Sequence, residues 1–129
     1  MLSQVEVLDT RILIADDHPL FRAAMRQAMV DIVGDNITEV ASFSEAYSAI
    51  EADDSLELVF LDLNMPVMDG LEFIERARKE NAGRTVPMLL LTTEVAEHLK
   101  LRAREVGATG WLTKPFDPVQ ILQLVDQLA

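Results

Sequence analysis

The sequence predicts an α/β protein in which helices cover both faces of a mostly parallel sheet, and three observations predict it. The hydrophobic pattern alternates between short runs of β-branched and aliphatic residues and longer stretches with helical spacing, five times along the chain. Helix-start signals follow several of the short runs: Pro19, Ser42 with Glu45, and Asp117 with Pro118. Parallel strands require crossover connections, nearly always right-handed, and a helix is the usual crossover. The third observation is positional. Asp16-Asp17, Asp62, Asn64-Met65-Pro66, Thr92 and Lys114-Pro115 each come directly after an apolar run, so in a parallel sheet they gather at one edge.

Arg11 to Ala15 is the first strand, and Pro19 opens a helix carrying Leu20, Ala24, Ala28 and Met29 as its apolar stripe. Ile37 to Ala41 is the second strand. Ser42 and Glu45 form a capping-box pattern ahead of a helix with Ala46, Ala49 and Ile50 facing inward. Leu56 to Leu61 is almost continuously apolar, as expected of a central strand covered on both faces. A loop with Pro66 and Gly70, where Asp69-Gly70 reads as a turn and helix entry, leads to a helix over Leu71 to Lys79 with Leu71, Ile74 and Ala77 toward the core. Val86 to Leu91 is the fourth strand, entered through Pro87 and ended by Thr92. The next helix, Val95 to Val106, presents Leu99, Ala103 and Val106 and stops at Gly107. Trp111 and Leu112 make a short fifth strand. Asp117 as N-cap and Pro118 at the first helical position open a terminal helix with Ile121, Leu122, Val125 and Leu128 on one face.

A chain of 129 residues, half of them apolar, fills one core and not two. Residues 1–10 read as an N-terminal extension and 11–129 as the domain. The chain has no cysteine, which excludes disulfides and thiolate metal sites and fits the cytoplasm. The first ten residues lack the pattern of a signal peptide and no apolar run is long enough to span a bilayer, so a soluble protein without membrane partners is expected. A formal charge of −11 argues against nonspecific binding of nucleic acid.

Ligands of open parallel sheets bind beyond the carboxyl ends of the strands. Hard dications such as Mg²⁺ take oxygen ligands and keep several waters, so the carboxylates of Asp17 and Asp62 suffice to hold one, with Asp16 acting through water or by its charge. Clustered carboxylates repel each other and so favour a bound cation. In phosphoryl transfer one carboxylate attacks phosphorus while a metal and an ammonium neutralise the phosphoryl oxygens; Lys114 supplies the ammonium. The hydroxyl of Thr92 can donate to a phosphoryl oxygen and be drawn inward when the group is attached. His18, next to the acidic pair, reads as a helix-entry histidine rather than a ligand. Met65, Met68 and Met88 read as packing and loop residues, since thioethers suit soft metals.

These residues resemble the receiver domain of two-component response regulators, the CheY-like superfamily. The resemblance runs from Arg11 to Leu128 and rests on Ala15-Asp16-Asp17, on Phe60 through Gly70, on Leu91-Thr92, and on Gly107 through Phe116. It implies a flavodoxin-like (βα)₅ three-layer sandwich with five parallel strands in the order 2-1-3-4-5. It implies that Asp62 is the phosphoacceptor, served by a sensor histidine kinase or phosphotransfer protein, and that Mg²⁺ is held by Asp16, Asp17, Asp62 and the backbone carbonyl of Asn64. Thr92 and Lys114 match the switch hydroxyl and the phosphoryl-binding lysine. Asn64 and Glu94 match positions that tune loss of the phosphoryl group. Trp111 matches an aromatic switch residue, usually Tyr or Phe; taken by itself it also reads as an edge-strand side chain capping a surface patch.

By the same resemblance the domain is not an enzyme beyond its own phosphorylation and dephosphorylation. Its output surface is the fourth helix, fifth strand and fifth helix, which contact a downstream protein target or a second copy. The kinase side lies near Leu20 and Phe21, with Phe116 nearby. The segment from Ile14 to Arg22 resembles receivers of NarL/LuxR-type transcription factors, and the segments Thr92-Thr93-Glu94 and Gly110 to Pro118 resemble chemotaxis receivers. Both a stand-alone regulator and the N-terminal domain of a transcription factor are therefore expected readings, with DNA contacted by no part of this domain. Two other classes compete. A metal-dependent aspartyl-phosphate phosphatase would need an Asp-x-Asp after its first strand, and Asp62-Leu63-Asn64 breaks that pattern. A phosphorylation-independent interaction domain would not need acceptor, hydroxyl and lysine together.

Overall fold

The computed structural model describes residues 10–63, 69–80, 86–93 and 97–114 and the single positions 120 and 123, with the side chains of Asp31 and Ile32 excepted. The described elements alternate without exception: β1 (Arg11–Ala15), α1 (Pro19–Val33), β2 (Ile37–Val40), α2 (Phe43–Ala52), β3 (Leu56–Asp62), α3 (Gly70–Glu80), β4 (Met88–Thr92), α4 (Glu97–Val106) and β5 (Gly110–Thr113). The five strands form one sheet in the order β2-β1-β3-β4-β5, every neighbouring pair parallel. Strand bounds differ from the sequence expectation by a residue or two, with Pro87 standing just ahead of β4, where its carbonyl accepts from Val59 N–H at 2.9 Å. The expected terminal helix lies outside the described residues apart from positions 120 and 123. Among the described residues no helix is long and apolar enough to cross a membrane.

Alternation along the strands divides the core into two layers. On one face Ile12 and Ile14 of β1, Leu58 and Phe60 of β3, Leu89 and Leu91 of β4 and Leu112 of β5 pack with Met25, Met29 and Val33 of α1. On the other face Leu13, Val59, Leu61, Met88 and Leu90 pack with Phe43, Ala46 and Ile50 of α2, Leu71, Phe73, Ile74 and Ala77 of α3, and Ala103 and Val106 of α4. Each large side chain so buried is worth about 1.5–3 kcal/mol, and the central strands contribute on both faces. This is why β3 is nearly all apolar up to Asp62.

One helix face differs from expectation. Of the expected stripe Met29 is buried and Ala28 packs against the core, but Leu20, at 87% exposure, and Ala24 point to solvent, and Met25 and Val33 are buried in their place. α1 is apolar around much of its circumference, so two stripes compete in sequence, and the one that recurs as Met25, Met29 and Val33 packs on the sheet. Ser42 caps α2 by accepting from Glu45 N–H at 3.1 Å, and Glu45 Oε1 reaches back to Ala41 N–H at 3.1 Å, one residue beyond the usual capping box. Asp69 caps α3, accepting from Glu72 N–H at 2.8 Å.

Two glycines are required by geometry. Gly107 has φ 95° at the end of α4, a left-handed stop that L side chains rarely adopt. A Cβ on Gly70 would lie 2.8 Å from Leu90 Cδ2, 3.2 Å from Leu63 Cα and 3.3 Å from the Asp62 carbonyl oxygen, so α3 can begin this close to the end of β3 only without a side chain. Arg78 fastens α3 to its neighbours: Nε and Nη2 donate to the Gly107 carbonyl at 3.2 and 3.0 Å, and Nη1 donates to the Val86 carbonyl at 2.9 Å. Burial of that guanidinium lowers its pKa from the usual arginine value.

Candidate functional site

All described strands end on the same side, and their last residues or the residues just after them assemble one site. Asp16 and Asp17 follow β1, Asp62 ends β3, Thr92 ends β4 and Lys114 follows β5. The backbone fixes this convergence. Asp16 N–H donates to the Val40 carbonyl at 3.1 Å, Leu63 N–H to Leu91 at 2.9 Å, and Lys114 N–H to Thr92 at 2.6 Å, each extending a parallel ladder past the strand end. Thr92 is buried and pairs in register with Thr113.

The acids are deep. Asp16 has no exposed surface and Asp62 has 3%, while Asp17 is partly exposed. Buried carboxylates need charged or donor partners, and two basic side chains supply them from opposite sides. Lys114 Nζ lies 2.9 Å from Asp16 Oδ2 and 3.4 Å from Asp62 Oδ1, and 4.2 Å from the centroid of the Phe21 ring, a cation–π position. His18 Nδ1 lies 3.0 Å from Asp16 Oδ1, 3.1 Å from Asp17 Oδ1 and 3.8 Å from Asp62 Oδ2. His18 is, as expected, the residue that enters α1, and its backbone N–H donates to Asp16 Oδ1 at 2.9 Å. Its ring nonetheless belongs to the acidic cluster, which adjacency to Asp16-Asp17 alone could have suggested.

Arg22 is a residue that sequence reasoning gave no role. One helical turn beyond His18, its Nη1 donates to the Asp16 backbone carbonyl at 2.5 Å, and its Nε lies 3.4 Å from Glu39 Oε1. Arg26 bonds Glu39 Oε2 at 2.6 Å and the Ile37 carbonyl at 2.8 Å. Together they tie the end of β1 to α1 and β2, holding the acidic pair in place. The signal was available as two arginines one turn apart on α1 facing a lone glutamate on β2.

The donor set suits a hard dication. Oxygens of Asp16, Asp17 and Asp62 and a ring nitrogen of His18 all lie within 4.8 Å of one another, and Asp17 Oδ1 is buried without a hydrogen bond. Three carboxylates at one point fit Mg²⁺, which asks for oxygen ligands. Asn64 and Glu94 lie outside the described residues, as do Met65, Met68, Pro115 and Phe116.

Away from this edge, Trp111 on β5 is half-buried against the α2–α3–α4 layer, and Lys100 Nζ of α4 lies 5.4 Å from its ring centroid. Beside it a cleft of about 550 Å³ is lined by Ala103, Arg104, Ala108, Thr109, Gly110 and Trp111. Leu101 of α4 is exposed.

Comparison with known proteins places the fold and this edge in context. The family model of the response regulator receiver domain matches residues 12–126. The chain is 37% identical over 119 residues to the glycerol metabolism activator of Pseudomonas putida, covering 92% of this chain and 53% of that protein. It is 36% identical over 121 residues to the nitrate/nitrite response regulator protein NarL of Escherichia coli, covering 92% and 54%. The chain thus spans about half the length of these two curated relatives. Among solved structures it resembles the chemotaxis protein CheY4 of Vibrio cholerae with a TM-score of 0.83 at 32% identity, over 93% of this chain and 98% of that one. With the matched family model, the strand order 2-1-3-4-5 and an acidic cluster at the strand ends, the chain belongs to the receiver domain family of two-component response regulators.

Proposed function

We propose that the chain is a phosphorylated switch: Asp62 accepts a phosphoryl group from a phosphohistidine of a sensor kinase or phosphotransfer protein, and the α4–β5 face carries the result to a protein partner or a second copy. The observation that carries this reading is Lys114 Nζ lying between Asp16 Oδ2 and Asp62 Oδ1 at the buried strand edge. An ammonium there lies beside the Asp62 carboxylate, where a phosphoryl group joined to it would present its oxygens.

In the transfer, an Asp62 carboxylate oxygen forms the new P–O bond as the P–N bond to the donor imidazole breaks. The electron pair leaves with that nitrogen, which takes up a proton. Mg²⁺, held by Asp16, Asp17, Asp62 and the carbonyl of Asn64, would neutralise charge on the phosphoryl oxygens. Asp16, fully buried and pinned by Lys114, His18 N–H and Arg22, keeps the acidic group in register. Thr92, at the end of β4, donates its hydroxyl to the attached group, and Glu94 and Asn64 tune access of water. Because Lys114 N–H bonds the Thr92 carbonyl, movement of Thr92 is transmitted to β5 and so to Trp111. The group shifts an existing equilibrium by favouring one state of that face. Residues 11–129 form this receiver and 1–10 extend it, in the cytoplasm, as a stand-alone regulator or ahead of a transcription factor's DNA-binding part; the domain is not an enzyme toward other substrates.

The test uses beryllium trifluoride as phosphoryl analogue with Mg²⁺, followed by fluorescence of Trp111, the single tryptophan. Wild type is expected to show a saturable change that requires Mg²⁺, and Asp62→Asn none. An equal response in both proteins would sink the switch.

A further inference from the structure

We propose that His18 is a nitrogen ligand of the cation site, a donor that strengthens binding of a borderline transition dication, of the Ni²⁺ or Zn²⁺ class, while leaving the carboxylates to hold Mg²⁺ as before. The inference rests on reading the acidic cluster as a cation site and adds to it a donor of different chemistry.

The two basic groups divide the acids between them. Lys114 faces Asp16 Oδ2 and Asp62 Oδ1, and His18 Nδ1 faces the other oxygen of each, together with Asp17 Oδ1. Nδ1 has a single in-plane direction for a proton or a metal. Three carboxylate oxygens approach it at 3.0, 3.1 and 3.8 Å, and one N–H can serve only one of them well. The Asp17 oxygen is indeed left without a hydrogen bond although the ring nitrogen is 3.1 Å away. A dication bonded to oxygen and nitrogen at about 2.1 Å holds its ligand atoms within roughly 4.2 Å of each other. The three separations from Nδ1 fall inside that limit. The widest ligand pair, within 4.8 Å, needs only a small inward shift.

His18 Nδ1 is hydrogen-bonded to Asp16 Oδ1 at 3.0 Å, and a metal at Nδ1 would take the place of that bond. His18 occupies the N-cap position of α1 yet makes no side-chain cap hydrogen bond, so the helix does not use it. Its backbone is held by the N–H bond to Asp16 Oδ1 and by the rigid Pro19 that follows, which aim the side chain at the acids. At 65% side-chain exposure, its other ring edge is open to water. Imidazole raises affinity along the series toward Ni²⁺, Cu²⁺ and Zn²⁺ far more than for Mg²⁺, which binds nitrogen poorly.

The experiment is calorimetric titration of Mg²⁺ and of Ni²⁺ into the full chain and into its His18→Ala variant, both carrying His98→Ala to remove the other histidine. It is paired with electron spin-echo detection of nitrogen coupling to bound Cu²⁺. Ni²⁺ affinity is expected to fall about tenfold or more on removal of His18, with Mg²⁺ affinity changed less than about twofold. A nitrogen coupling is expected only where His18 is present. Unchanged Ni²⁺ affinity, or a rise for both ions, would overturn the proposal, the second by making the imidazole a competitor for the acids. An Asp17→Asn control separates the two readings: if it binds both ions as well as wild type, the cation site itself is misplaced and His18 falls with it.

Discussion

The carboxyl edge of the sheet and the α4–β5 face sit on the same strands, yet they are held in different ways. At the edge each group is fixed from several directions: Asp16 alone receives Lys114, the His18 backbone N–H and, at its carbonyl, Arg22. At the face, Trp111 is half-buried, with Lys100 over its ring at 5.4 Å and an open cleft at its side. Buried charges impose their geometry because an unmet one costs several kcal/mol, whereas an aromatic and a partly exposed ammonium bind each other weakly and can separate. The proposed switch needs both. The site must be pre-formed to perform chemistry, and the readout must lie close enough to balance to be moved.

The sharpest way to break this contrast is Lys114→Met. It leaves the fully buried Asp16 without its ammonium, and the expected loss of stability is about 3 kcal/mol in chelator, with part restored by saturating Mg²⁺, as read by urea unfolding. A loss below that of any surface substitution would mean that the edge is not held by charge. Next comes Gly70→Ala. Its added methyl meets Leu90 and the backbone of Leu63 and Asp62, so a destabilisation of about 1–3 kcal/mol is expected. If Asp62 is the acceptor as proposed, phosphorylation should slow as well, because Asp62 ends the displaced strand; normal phosphorylation would separate packing from chemistry. The smallest effect should come from Lys100→Ala, about 0.5 kcal/mol, with a change in Trp111 emission that the first two variants need not share. Should Lys100→Ala cost as much as Lys114→Met, the two regions would not differ in the way described.

The strand ends were visible in sequence, because from Leu58 onward β3 is apolar on both faces until Asp62 breaks it, and because β4 and β5 end at Thr92 and just before Lys114 in the same manner. The cap at Ser42 and the helix entry at Asp69-Gly70 were equally local, and the structure keeps both. The rotation of α1 was not local. Leu20 and Ala24 compete with Met25 and Val33 on a helix apolar on several sides, and only the sheet decides between them. The position of the His18 ring and the contacts of Arg22 were not fixed by sequence for a related reason: they depend on how the first turn of α1 sits over the end of β1, a tertiary angle that adjacency and spacing suggest without determining. The strand order itself came from likeness to a family, since periodicity shows that strands are parallel and not which are neighbours.

The Lys114–Asp16 pair joins residues 98 positions apart, which has a consequence for the order in which the molecule is made. A ribosome that has released the first three strands has delivered both Asp16 and Asp62, and their compensating ammonium is still more than fifty residues away by the spacing of Asp62 and Lys114. Until β5 arrives, the emerging sheet carries clustered negative charge that disfavours its own closure. Docking of the last strand relieves that repulsion and completes the site in one event. On the proposed function, receipt of a phosphoryl signal is thereby reserved for chains that have finished folding.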